Sequence, residues 1–173
     1  DQSALEKIII LLRTQTGNDF SLYKKNTVYR RIERRMSVHK IDKIASYIHF
    51  LQENPKEVDI LFKELLIGVT NFFRDSAVWE KLEEKVLPAV IANMQEGSIM
   101  RAWVPGCSTG EEAYSLAIAF KETLEIINPH AGISLQIFAS DLDNEAIETA
   151  RKGVFPANIA SDVSPKRLGR FFI

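Results

Sequence analysis

The stretch Val104-Pro105-Gly106-Cys107-Ser108-Thr109-Gly110-Glu111-Glu112 gathers two glycines, two hydroxyls and two adjacent acids in a span short enough for one loop. Gly106 lets the backbone come close to a ligand, and Gly110 allows a tight turn that a side chain would obstruct. A dinucleotide would call for a third glycine in G-x-G-x-x-G spacing, leaving a helix end open for pyrophosphate. That glycine is absent, and Glu111 and Glu112 stand where a phosphate would sit. Paired carboxylates repel phosphate and attract an ammonium or sulfonium cation. S-adenosylmethionine carries both cations and no phosphate. Taken alone, the two acids equally suit the positive end of a helix.

Ser140-Asp141-Leu142-Asp143 is the second candidate, because it closes an apolar run where an acid can accept ribose hydroxyls. Asp141 is the better ribose candidate, and Asp143 fits a helix N-cap. Its distance from Gly106 exceeds the roughly 20-residue rule for dinucleotide folds, which a long helix and an Asn128–Gly132 loop account for. Cys107 has no histidine nearby in sequence to act as a base and reads as a small loop residue. A single cysteine forms no internal disulfide, and His39, His49 and His130 lack metal-ligand spacing, so no metal is expected. No catalytic acid or base is assigned.

The elements that must position these residues follow from periodicity. A Ser3/Glu6 capping box and apolar residues at Leu5, Ile8, Ile9 and Leu12 predict a first helix, broken by Gly17-Asn18-Asp19. Further helices are expected over Leu22–Val38, from a cap at Asp42 to Asn54-Pro55, and on toward Ile67. Asp75 is expected to cap a connecting helix that Pro88 kinks or restarts and Gly97 ends. The period then changes. Ile99–Val104 and Ile133–Ala139 read as strands, separated by a helix over 110–127 that Asn128-Pro129 closes. Asp143–Lys152, stopped by Gly153, and a short helix from Ser164-Pro165 complete the pattern. Strand, helix, strand, helix implies a parallel sheet. The expected fold is α/β: an all-helical domain over residues 1–74, a connecting helix over 75–97, and the start of a Rossmann-like sheet over 98–173.

With 46% hydrophobic and 26% charged residues, the 173-residue chain has the composition of a folded protein, and disorder is excluded. No apolar run reaches the roughly 20 residues that cross a bilayer, so a cytoplasmic protein without membrane insertion is expected. The net charge of −1 hides a split: residues 1–74 hold 13 Lys/Arg against 9 Asp/Glu, and residues 75–173 hold 9 against 14. The first part suits an acidic partner. Residues 24–40 carry seven basic residues against Glu33 alone, with Arg31, Arg34 and Arg35 close to one helical face. A run of this kind serves as a solvated face, a nucleic-acid contact or a protein docking surface.

Thr70-Asn71-Phe72-Phe73-Arg74, Ser108-Thr109-Gly110-Glu111-Glu112-Ala113-Tyr114-Ser115 and Ala139-Ser140-Asp141-Leu142-Asp143, in this order and spacing, resemble the chemotaxis receptor methyltransferases of the CheR type. The resemblance spans nearly the whole chain. It implies a small helical domain joined to a Rossmann-like class I methyltransferase domain, which methylates glutamates on receptor signalling helices and releases S-adenosylhomocysteine. By resemblance, Thr70 and Arg74 reach the methionine end of the cofactor, Glu112 rather than Glu111 contacts it, and Asp141 falls on the ribose position. Arg31, Arg34 and Arg35 would dock on the acidic receptor helix, leaving nucleic acid the less favoured partner. For Arg74 a surface ion pair is the plain alternative, and for Phe72 and Phe73 it is core packing. Where comparable family members carry asparagine, this chain has Gly68, which removes any side-chain contact there. Ile67-Gly68-Val69-Thr70 and Arg30-Arg31-Ile32-Glu33-Arg34-Arg35-Met36 look more like the versions fused to methylesterase and sensor modules. The family's fold has further strands, so the 173-residue chain is expected to be an inactive fragment with a truncated sheet that binds cofactor weakly. A methyltransferase with another substrate, or a silent interaction module of a signalling protein, remain the alternative readings.

Overall fold

The computed structural model describes residues 2–68, 70–127 and 132–173. The chain forms two compact units, Asp1–Ile67 and Gly68–Ile173.

The first unit is helical: α1 (Gln2–Thr16), α2 (Lys25–Val38), α3 (Ile44–Glu53) and α4 (Pro55–Leu66). Residues three and four apart share a helix face, so Leu5, Ile8 and Leu12 of α1 meet Val28 and Ile32 of α2, Tyr47 and Leu51 of α3, and Val58, Leu61 and Leu65 of α4 in one buried core. Helix starts differ from expectation in three places. Gln2 opens α1, so Ser3 lies inside the helix and does not cap it. The Asp19 carboxylate accepts the Ser21 N–H at 2.8 Å, which turns the chain and delays α2 to Lys25. Lys43, not Asp42, precedes α3.

One charge lies in this core. Glu57 is 4% exposed, and its carboxylate accepts hydrogen bonds from Arg35 Nε (2.8 Å) and Nη2 (2.7 Å) and from the Tyr47 hydroxyl (2.9 Å). His39 Nε2 lies 2.9 Å from the same group. Burial works to raise the Glu57 carboxyl, but the hydrogen bonds from Arg35, His39 and Tyr47 prevail and hold it below the ordinary carboxylate value. The Tyr47 phenol is pushed up, by burial first and by Glu57 second.

The second unit opens with the Thr70–Asp75 segment and a helix in three parts: α5 (Ser76–Lys81), a π-helical turn (Leu82–Val86) and α6 (Leu87–Ala92). Pro88 has no N–H to give residue 84. Just before it the helix widens, and the Leu87 N–H reaches back five residues to the Leu82 carbonyl. The expected kink is therefore a π turn. Strand β1 (Ile99–Pro105), helix α7 (Glu111–Ile127) and strand β2 (Ser134–Ser140) follow, and β1 pairs with β2 in parallel from Ile99↔Ser134 to Pro105↔Ser140. Leu87, Ile91, Ala119, Phe120 and Ile133 form the core between α6, α7 and the strands. The sheet's other face is open, with Trp103 70% and Phe138 51% exposed.

Helix α8 (Asn144–Lys152) is bounded as expected. The Asp143 carboxylate accepts N–H groups of Glu145 and Ala146, and Gly153 closes the helix in a left-handed conformation. After an unforeseen 3₁₀ turn (Ala157–Ser161), α9 (Pro165–Phe171) starts with Ser164 accepting the Arg167 N–H. The Asn128-Pro129 stop lies outside the described residues, as does all but Gly132 of the expected Asn128–Gly132 loop. Gly68 and residues 70–74, expected in the helical domain, fold with the second unit: Phe72 is 1% exposed and packs edge-on against Phe155 and Phe172. Among the described residues no helix is long and apolar enough to cross a membrane.

Candidate cofactor site

The loop after β1 is pinned at successive residues. Gly106 takes φ +68°, and the Cys107 N–H donates to the Ser140 carbonyl at 3.0 Å. Ser108 sits at φ +48°, a conformation side chains rarely adopt, and its N–H donates to Asp141 Oδ2 at 2.8 Å. Asp141 Oδ1 accepts the Asp143 N–H at 2.9 Å, so one carboxylate ties the glycine loop to the end of β2. Gly110 has φ +101°, and a Cβ there would lie 3.0 Å from the Ala150 Cβ. Glycine is required there on both counts. At Gly106 nothing stands within 4 Å of an added Cβ. The space it would fill belongs to a cleft.

The two acids that open α7 part ways. Thr109 Oγ1 donates to the Glu111 carboxylate at 2.6 Å, folding that side chain back on the loop. Glu112 is exposed, lines the cleft, and makes no hydrogen bond or ion pair among the described residues. Cys107 is buried, and burial followed by the Asp141 charge pushes its thiol up. A protonated, enclosed thiol is no nucleophile.

The facing wall comes from the segment before α5. Thr70, Asn71, Arg74 and Asp75 stand on it, opposite Gly106, Ser108 and Glu112, around a cavity of about 450 Å³. Phe73, at φ +50°, anchors the segment by donating its N–H to Ser115 Oγ on α7 at 3.0 Å. Four residues named from sequence, Thr70, Arg74, Gly106 and Glu112, thus line one cleft. Gly68 lines it too, with backbone only. Asp141 is tied to the loop through Ser108 and is not among the residues that line the cleft.

Asn71, Ser108 and Asp75 line the cleft as well, although the sequence reading gave them no ligand contact. Asp75 has the composition of a cap, yet it adopts φ 60°, ψ 63° and its side chain makes no capping bond. No local sequence signal marks that conformation beyond aspartate's tolerance of it.

The family model described as the CheR methyltransferase SAM binding domain matches residues 68–173, and the CheR methyltransferase all-alpha domain matches residues 3–66. The chain belongs to the CheR methyltransferase family. Among relatives, an uncharacterized 104.1 kDa protein of Rhodobacter capsulatus is 42% identical over 98% of this chain and 18% of its own length. The chemotaxis protein methyltransferase of Salmonella typhimurium is 30% identical over 96% of the chain and 55% of its own. That of Borreliella burgdorferi is 28% identical over 88% and 54%. The chain therefore spans about half the length of the chemotaxis methyltransferases it matches.

The CheR family's methyl donor, S-adenosylmethionine, fits the cleft chemically. Its methionine end presents an ammonium, a sulfonium and a carboxylate, and the walls offer the Glu112 and Asp75 carboxylates, the Arg74 guanidinium and the Thr70 and Ser108 hydroxyls. The volume lies within the range of small-molecule sites, roughly 300–1,000 Å³.

Arg31, Arg34 and Arg35 of α2 do not form one free face. Arg35 is 12% exposed and held by Glu57, which takes it out of the docking set expected from sequence. Arg31 (17% exposed) and Arg34 (61%) share Glu64, at 3.9 and 3.5 Å. Helical periodicity fixes the angle of each side chain around α2, but not the position of an acid on α4 that captures it.

Proposed function

We propose that this protein methylates glutamate side chains on the helical cytoplasmic region of a chemoreceptor-type signalling protein, with S-adenosylmethionine as donor. The observation that carries the reading is the convergence of Arg74, Thr70, Gly106 and Glu112 on one cleft. Arg74 would hold the cofactor carboxylate and Glu112 its ammonium. Each Asp141 oxygen keeps a second lone pair for a ribose hydroxyl beside the loop. When bound, the cofactor supplies an electrophilic methyl group to a carboxylate, with loss of S-adenosylhomocysteine.

The nucleophile brings its own charge, since a glutamate is ionised at neutral pH. The chain then needs no strong base, and its contribution is alignment and exclusion of water. Arg34, with Arg31 beside it, would meet the acidic receptor helix, while Arg35 supports α2 from within. On this reading the protein would act in the cytoplasm, and its membership of a larger fusion protein belongs to the same proposal.

The test is methyl transfer from labelled S-adenosylmethionine to receptor helices by the protein in a form spanning the full family length. Base-labile label on glutamates, reduced by Arg74→Ala, is expected, with none from residues 1–173 alone. Label on nucleic acid in place of the receptor would sink the reading.

A further inference from the structure

Phe73 stands between Thr70 and Arg74 in a left-handed conformation, φ +50°. Such a conformation in a bulky residue is strained and persists only where the surroundings over-determine it. From below, its N–H is fixed by Ser115 Oγ at 3.0 Å, and that hydroxyl donates to the Glu111 carbonyl at 2.7 Å. To the side, the Trp79 ring meets it edge-on at 5.4 Å between centroids. The remaining constraint comes from far along the chain.

The Arg167 guanidinium of α9 lies over the Phe73 ring, 4.1 Å from its centroid. Its edge is filled by two acids: Nε and Nη2 donate to Glu122 of α7 at 3.0 and 2.7 Å, and Nη2 donates to Glu83 of the π turn at 2.6 Å. The planar fork suits this double task, one face for the ring and the edge for carboxylates. Both acids lie on elements independently fixed in the core, so the guanidinium cannot move off the ring without breaking ion pairs that are only 20–28% exposed.

We propose that Arg167 is a positioning residue of the cofactor cleft: it clamps Phe73 in the left-handed conformation that presents Thr70 and Arg74 opposite Glu112. The inference rests on the cleft being the cofactor site, and it makes α9 part of that site without touching the ligand. Arg170, one turn along α9, pairs with Glu125 and lies over Phe171, away from Phe73. It serves as the control.

The experiment is amide exchange on the 173-residue chain, followed by titration with S-adenosylhomocysteine. Arg167→Gln should speed exchange at Phe73 by about tenfold or more, as expected when a local clamp opens without global unfolding. Arg167→Lys, which keeps the charge and loses the flat stack, should fall between. Arg170→Gln should leave Phe73 unchanged. Phe73→Leu retains the ion pairs and should loosen Thr70–Asp75 in the same way, even if Arg167→Gln folds poorly. Ligand-induced shifts at Thr70 and Arg74 should weaken in Arg167→Gln and recover in part in Arg167→Lys. Unchanged exchange at Phe73 in a folded Arg167→Gln, or unchanged Thr70–Asp75 exchange in Phe73→Leu, overturns the clamp. If exchange follows Arg167 but the parent shows no response to ligand, the clamp stands and the cofactor reading falls.

Discussion

At Asp141 two backbone N–H groups, from Ser108 and Asp143, end on one carboxylate. The side chain is thus a structural tie before it is anything else, and it holds Ser108 at positive φ. Asp141→Asn keeps one acceptor oxygen for two donors. It should cost about 1–3 kcal/mol, the range for leaving a buried donor unsatisfied, with faster exchange at the Ser108 amide. An unchanged melting temperature and unchanged exchange would show the tie to be idle. Position after a strand announced an acid with a task at 141, but not which neighbours would claim it. Glu111 and Glu112 teach the same: adjacent and identical in type, they are separated by a Thr109 hydroxyl two residues away. Arg35 was misread for a similar reason, since Glu57 is remote in sequence and reaches it only through the helix packing.

Among the elements, those with strong periodicity and clear caps were legible: α7, both strands, and α8 with Asp143 and Gly153 at its ends. Those shaped by tertiary contact were not, including the π turn and the left-handed Phe73 and Asp75. The two loop glycines should separate by experiment. Gly110→Ala meets both an unsuitable φ and the Ala150 Cβ, and should destabilise by at least about 2 kcal/mol in thermal unfolding. Gly106→Ala is strained at φ +68° but meets open space, so it should cost less stability than Gly110→Ala, about 1 kcal/mol, and should weaken ligand binding as well. Equal loss of stability in both would contradict the crowding between α7 and α8.

The helical unit carries its own test in Glu57. Its carboxyl is held below the ordinary value, so its stabilising contribution is complete above the unfolded value of about 4.3 and is lost as pH falls through the lower folded value. The stability of residues 1–67 should therefore fall on acidification in that window, and Glu57→Gln should remove that part of the pH dependence. A variant with the parent's full acid limb would show that Glu57 is not its source.

For the whole molecule, the two family matches coincide with the two compact units, residues 3–66 and 68–173. The change of hydrophobic period near Gly97 placed the onset of the sheet. It could not reveal that Thr70–Arg74 joins the second unit, because what holds Phe72 there is a cluster with Phe155 and Phe172. Two parallel strands with one exposed face make a partial sheet, since parallel sheets are normally covered on both sides. The cleft itself lies wholly within Gly68–Ile173, so its chemistry can be probed in this chain even where affinity is low. The most direct probe is an amide chemical-shift map of residues 1–173 titrated with S-adenosylhomocysteine, beside Glu112→Gln. Shifts centred on Thr70, Arg74, Gly106, Ser108 and Glu112, and lost in the variant, are predicted; shifts confined to residues 1–67, or an identical map in Glu112→Gln, would contradict the assignment of the cleft.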